Sequence, residues 1–265
     1  MRYLLFIILT SIISINVFSQ EKEILTLSNG DTINLLNKNG KRQGYWKLMR
    51  GLVYQAGYYN NNLREGMWIT YGVNGKPELI EEYKHGELSG TTLLFDENGG
   101  LRNERHFKNN KLDGLNVFYS KSGIVKFKRY YKQGLLQGEF LKYYDNGNLM
   151  EKSFYWQDQK DSISTYYNED ERPIAIYHYN KGVIDGEYKS YFASGIIKSE
   201  KLYINNLVQG KYYEYFDNSR IKIDGQYADD KKVGKWIFYN RDGKKAKIQY
   251  WENGKMKKEK VLSRQ

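Results

Sequence analysis

The stretch GMWITYGVNGKPELIEEYKHGELSG, residues 66–90, decides the fold. It reads as strand, tight turn, strand, turn. Take Gly66 as position zero. Gly66, Gly90, Gly114, Gly138, Ser162, Gly186, Gly210 and Gly234 then stand 24 residues apart, and Gly44 precedes Gly66 by 22. Position five is Tyr71, Phe95, Tyr119, Tyr143, Tyr167, Tyr191, Tyr215 and Tyr239. Position seventeen is Tyr83, Phe107, Tyr131, Tyr155, Tyr179, Tyr203, Tyr227 and Trp251. Aromatic residues are 16% of the chain, so chance does not make two columns aromatic in all eight units. Self-similarity at a fixed period marks a repeat architecture.

Two turn columns complete the unit. Position nine is mostly Gly and follows Asn, Ser or Asp, as in Asn74-Gly75 and Asp242-Gly243. Such pairs predict type I′ hairpin turns, in which both central residues need positive φ. Position twenty runs from Gly86 to Gly254 through Gly, Asn and Asp, which also tolerate left-handed backbone. The first unit, from Gly44, fits once two residues are removed at its hairpin. In the sixth unit Ser162 and Glu171 replace glycines and Pro173 limits pairing, which predicts local irregularity.

The expected fold class is all-β: an elongated antiparallel β-hairpin repeat array of about nine units of 24 residues. At about 4.8 Å per strand it spans roughly 85 Å before curvature. Side chains alternate across a strand, so positions three and five share one face. Position three is mostly apolar (Ile69, Leu93, Val117, Leu141, Ile237), and that face is expected to be the more consistently buried. Position two, on the other face, is mixed. Trp46, Trp68, Phe140, Tyr188, Tyr212 and Trp236 hold it and are the candidate partner-binding residues. Trp and Tyr suit interfaces because they bury a large area with few rotors.

A unit of the form G-x-W-x-x-Y-x-x-N-G followed by Y-x-x-G-x-x-x-G resembles the MORN-repeat variant of bacterial proteins. Gly66, Trp68, Tyr71, Asn74, Gly75, Tyr83, Gly86 and Gly90 carry it, as do Gly234, Trp236, Tyr239, Asp242, Gly243, Trp251 and Gly254. The resemblance covers residues 44 to about 256. Bacterial chains of this type are often labelled YwqK-like antitoxins. It implies a hairpin array with an interaction role and no known catalytic activity.

Residues 1–19 read as a secretory signal peptide: Arg2, then an apolar run from Tyr3 to Phe18, then Val17-Phe18-Ser19 before Gln20. Residues 20–43 read as an N-terminal cap or degenerate half-repeat, 44–256 as the array and 257–265 as a basic C-terminal tail. The expected location is outside the cytoplasm: periplasmic, outer-membrane associated or extracellular. No transmembrane span is expected after cleavage.

Composition narrows the chemistry. There is no cysteine, which removes disulfides and thiolate chemistry. His85, His106 and His178 are the only histidines. His106 and His178 share position sixteen three units apart, about 28 Å along a regular sheet, too far to share a metal. No phosphate-binding loop, zinc-protease or nucleophile-elbow motif occurs. No catalytic, cofactor-binding or metal-ligating residue is named, and no cofactor is expected.

The formal net charge is +11. Basic aromatic sheets can hold single-stranded nucleic acid, but export argues against it. The expected function is an exported, non-enzymatic scaffold that binds a protein partner through its extended sheet face. One alternative is a cell-envelope binder of anionic lipid or wall glycan. Another is an antitoxin-like protein, with which a signal peptide agrees poorly.

Overall fold

The structure is a computed structural model that describes residues 25–26 and 32–262. Leu25–Thr26 pairs with Thr32–Ile33 as a separate short ribbon. From Leu35–Leu36 to Lys255–Val261 the chain forms one open antiparallel sheet of 21 strands in hairpin order. Among the described residues no register joins the first of these strands to the last.

A representative unit is Leu135–Tyr143 followed by Leu149–Trp156. Its zero-position Gly138 pairs with Tyr155 at position seventeen, and Phe140 with Ser153. The register places positions two, four, thirteen, fifteen and seventeen on one face, here the inner face. Positions one, three, fourteen and sixteen lie on the other, the outer face. The first unit has the two-residue turn Gly51-Leu52 between Arg42–Arg50 and Val53–Asn60, where later units carry longer loops.

The two turn columns exchange the roles expected of them. At position nine only one residue is left-handed: Gly75 has φ 74° and Gly147 has φ 89°, whereas Asn74 and Asn146 do not have positive φ. Gly75 N–H donates to Gly72 O at 2.9 Å, so Gly72–Gly75 is a turn whose last residue is a left-handed glycine, the type I turn with a bulge. The type I′ turns lie in the other column. There both residues are left-handed, as in Gln133-Gly134 (52° and 88°) and Asn205-Asn206 (50° and 68°).

The sixth unit is regular, contrary to the irregularity its sequence suggested. Ser162 (φ 62°) and Glu171 (φ 59°) adopt the backbone that glycine holds elsewhere. Pro173 begins its strand opposite Tyr167, where a strand tolerates proline. The C-terminal boundary also moves: residues 257–261, expected in a tail, belong to the last strand and pair with Lys245–Glu252.

Zero positions are bulges, where two residues of the preceding strand, such as Arg129 and Tyr131, face Phe140 and Leu136. At Gly138 and Gly186 φ is 120° and 125°, and a Cβ would stand 3.2 Å from Tyr130 Cβ and 2.8 Å from His178 Cβ. The close approach is thus to the position-sixteen side chain of the strand before.

Candidate functional site

The aromatic residues at position two are spent inside the fold. Trp68 and Trp236 are only 2% and 1% exposed, Phe140 is buried, and Trp46, Tyr188 and Tyr212 are half-buried. The expectation that the face of positions three and five would be the better buried is therefore reversed. Of position three only Val117 is buried, whereas position two also buries Thr92, Asn116 and Ser164.

The cause is the position-seventeen column, which lies on the same face and fills the space between successive position-two rings. Tyr59 meets Trp46 at 5.8 Å and Trp68 at 4.8 Å, both edge to face. Tyr227 meets Tyr212 at 5.6 Å and Trp236 at 5.1 Å in the same way. Tyr188 contacts Tyr177 and Tyr203. Of the six candidates only Tyr212 and Trp236 touch each other, stacked at 5.5 Å.

Each buried indole also has a floor and a lid. Trp68 lies on Gly57 of the preceding strand and Trp236 on Gly225; an added Cβ would stand 2.6 Å from Trp68 Cγ and 2.5 Å from Trp236 Cε3. The indole N–H groups donate to Tyr58 O at 3.0 Å and Gln226 O at 3.2 Å. On the other side Arg64 covers Trp68 and Lys232 covers Trp236, each 4.3 Å from the ring centroid. The same cations reach the next aromatics, Tyr83 and Trp251. This cation–π roof keeps water off the ring. Burial raises the Lys232 proton's acidity, pushing its pKa down.

The exposed apolar surface is on the outer face, which the composition of the columns did not reveal. Tyr58 and Met67 are 57% and 59% exposed. In the middle of the array Tyr130, Leu135, Phe154, Trp156 and Ile163 are all exposed, with Trp156 at 47%. These residues occupy positions one and sixteen and the strand ends beside the type I′ turns. Sequence periodicity misses them because no column is uniformly apolar there. Position sixteen reads Tyr58, Glu82, His106, Tyr130, Phe154, His178, Leu202, Gln226 and Tyr250.

Polar groups border this surface. Lys152 Nζ is 2.7 Å from Glu139 Oε1 beside Phe154, and the Glu139 carboxylate holds the ammonium proton more tightly than usual. Farther on, Glu187, Lys189, Glu200, Leu202, Lys211 and Tyr213 line a shallow cavity of about 310 Å³. Lys189 Nζ is 3.1 Å from Glu187 Oε2, which lowers the carboxylate's pKa and raises the ammonium's. Exposed pairs of this kind are screened by solvent and add little to stability.

The histidines are structural. His106 Nδ1 donates to Leu115 O and His178 Nδ1 to Glu187 O, both at 2.7 Å, so each ring staples its strand to the bulge that follows. His85 sits in a type I′ turn, with its backbone N–H on Glu65 Oε2 at 2.8 Å. Among the described residues no group of three or more His, Cys, Asp or Glu side chains could hold a metal ion. No helix among them is long and apolar enough to cross a membrane.

Comparison with known proteins agrees with this architecture. Residues 88–109, 136–157 and 184–205 match the family model described as MORN repeat variant. Those three segments are MORN-variant repeats, a class that is generally protein- or lipid-binding. The matched segments begin 48 residues apart, at Leu88, Leu136 and Ile184, so they fall on alternate units. No curated protein sequence matches the chain. Among solved structures, the Photorhabdus luminescens Tc holotoxin pore with the TccC3-D651A mutation aligns at 11% identity. That alignment covers 86% of this chain and 14% of the other, with a TM-score of 0.17, and bears on neither fold nor function.

Proposed function

We propose that the chain is an exported, non-enzymatic scaffold that docks a protein partner on the outer face of its sheet. The observation that carries the reading is the concentration of exposed apolar side chains on that face while the inner-face aromatics are packed away. Tyr130, Leu135, Phe154, Trp156 and Ile163 lie on four consecutive strands. They form a patch of the kind that marks interaction sites. It includes Tyr130 and Trp156, and Tyr and Trp are residue types that dominate binding energy. Export is the reading of residues 1–19, which lie outside the described residues; the periplasm, the outer membrane and the exterior are all consistent with it.

The test uses photo-crosslinking from within the patch. Benzoylphenylalanine at Phe154 should yield one discrete protein adduct in native cells. That adduct should fall at least about tenfold with Tyr130→Ser and Trp156→Ser, because each aromatic anchor contributes on the order of 1–2 kcal/mol. Thermal unfolding should be unchanged in the same variants. Crosslinks to lipid alone would move the reading to an envelope ligand binder.

A further inference from the structure

The two ends of the sheet are finished differently. At the N-terminal end Asn34 lies against the strand Arg42–Arg50. Its backbone N–H donates to Tyr45 O at 3.0 Å, its side-chain oxygen accepts from Lys47 N at 2.7 Å, and its amide donates to Lys47 O at 3.2 Å. Leu35 and Leu36 pair with Gln43 and Arg42. That edge is thereby covered at Gln43, Tyr45 and Lys47. At the other end the strand Lys255–Val261 pairs inward with Lys245–Glu252, and nothing among the described residues pairs with its outer side.

The register shows which groups face outward. Leu262 N–H donates to Ala246 O at 2.8 Å. Hydrogen-bonded and non-bonded pairs alternate along an antiparallel ladder. Lys260, opposite Ile248, and Lys258, opposite Tyr250, therefore turn their backbone groups inward. Glu259 and Val261 turn theirs outward. Such an edge is a template for another strand.

Charge decides which strand. The edge reads Lys255, Met256, Lys257, Lys258, Glu259, Lys260, Val261. Lys257 pairs with Glu252 at 3.1 Å, but Lys255, Lys258 and Lys260 have no ion pair among the described residues. Lys258 and Lys235 flank the exposed ring of Tyr250 on either side. Residues 231–262 hold 11 basic and 3 acidic side chains, a net +8 of the chain's +11. Like charges opposite one another destabilise a sheet, so a second copy of this edge is repelled.

We infer that Lys255–Val261 accepts an acidic, extended segment of a partner protein by strand addition. The outward groups of Glu259 and Val261 give the main-chain bonds, and Lys258 and Lys260 select acidic side chains. This edge is separate from the outer-face patch, and neither reading depends on the other.

The test measures fluorescence anisotropy of labelled blocked octapeptides with the full chain. A Thr-Glu repeat should bind at least about tenfold tighter than a Thr-Lys repeat or a proline-interrupted Thr-Glu peptide, since both charge and backbone pairing are required. Val261→Pro removes an outward donor that the inner ladder does not use. It should weaken the Thr-Glu peptide about tenfold, and amide exchange at Glu259 and Val261 in the parent chain should slow on saturation. Lys258→Glu with Lys260→Glu should reverse the preference towards Thr-Lys, a readout that holds even if the proline variant fails to fold. Absence of Thr-Glu binding would overturn the inference. So would binding that ignores both peptide proline and Val261→Pro, which is charge attraction without strand pairing, or equal binding of phosphatidylglycerol vesicles in competition with the peptide.

Discussion

A methyl group added at Gly57 or Gly225 has nowhere to go, because the indole of Trp68 or Trp236 lies directly on the glycine. Neither ring can lift, since its N–H is bonded to the backbone beneath and a cation covers its other face. Gly57→Ala and Gly225→Ala should each cost about 1–3 kcal/mol, the usual penalty of overpacking. Urea unfolding with tryptophan emission as the probe checks this; an unchanged midpoint would mean that the ring slides away freely. Ser162 is the opposite case. It holds φ 62° where the equivalent units have glycine, and an L-residue there costs roughly 1–2 kcal/mol. Ser162→Gly should raise the unfolding free energy by about that amount, less the entropy that glycine loses on folding. Trp68 and Trp236 stand out in the sequence, but the face they pack on, and Gly57 and Gly225 beneath them, do not. Trp68 and Gly57 are eleven residues apart and belong to different units, so a column read by itself does not show the pair. Polarity at Thr92, Asn116 and Ser164 makes the position-two face look open, although in the sheet these residues are buried as well.

The same limit applies to the turns. Both turn columns were plain at the level of residue type, yet the glycine-rich one was assigned the wrong turn. An Asn-Gly pair satisfies a type I′ turn and equally ends a type I turn with a bulge, and the number of intervening residues decides between them. The true type I′ column carries a further rule. The second turn residue donates its N–H to the carbonyl at position −2 of the same unit, as Asn110 does to Leu88 and Gly182 to Lys160. Where that residue is Asn or Asp, its side chain also accepts from the N–H at position −2. Asn110 does so from Leu88, Asp158 from Leu136 and Asn206 from Ile184. At Gly86, Gly134 and Gly182 an acid at position −1 caps the first turn residue instead: Glu65 takes the N–H of His85, Asp113 that of Gln133 and Asp161 that of Lys181. The two solutions alternate as far as Asn206, with the 48-residue spacing of the three family matches, and Asp230, which accepts from Val208 N, then breaks the alternation. Asp158→Ala and Asn206→Ala should therefore each cost about 0.5–2 kcal/mol, as loss of a side-chain cap does at a helix end. Asn→Ala at Asn218 should cost less, because its side chain caps Arg220 N at 3.2 Å in an exposed loop. Comparing the three midpoints by differential scanning calorimetry tests the capping role; equal losses would refute it.

Across the described residues stability is spread along a line, with no central core among them to concentrate it. Tyr179 is pushed up to about 12 by burial and by Tyr166, and burial raises Tyr177, Tyr212 and Tyr215 as well. An unfolded tyrosine releases its proton near pH 10. Above that pH the unfolded chain binds fewer protons than the folded one, so stability falls as pH rises. The contribution is complete below pH 10 and is lost progressively towards the raised folded values. Absorbance at 295 nm should show these phenols titrating with unfolding and not before it. The linear build also sets how damage travels. Each unit touches only its neighbours, and in such arrays stability is a sum of unit and interface terms. Trp68→Ala removes a ring that joins Tyr59, Arg64 and Gly57, a loss of about 3–5 kcal/mol for a buried tryptophan. A protein with one shared core would lose exchange protection throughout. Here hydrogen exchange should accelerate from about Gly44 to Gly90 and stay at parent rates beyond Gly186, where the Tyr212–Tyr227–Trp236 ladder is untouched. Trp236→Ala should give the mirror image, fast at the C-terminal end and slow at the N-terminal one. Uniform acceleration in either variant would show that the array unfolds as one unit, and with it that a partner gripping one stretch of the outer face would stabilise the whole chain and not only the units it covers.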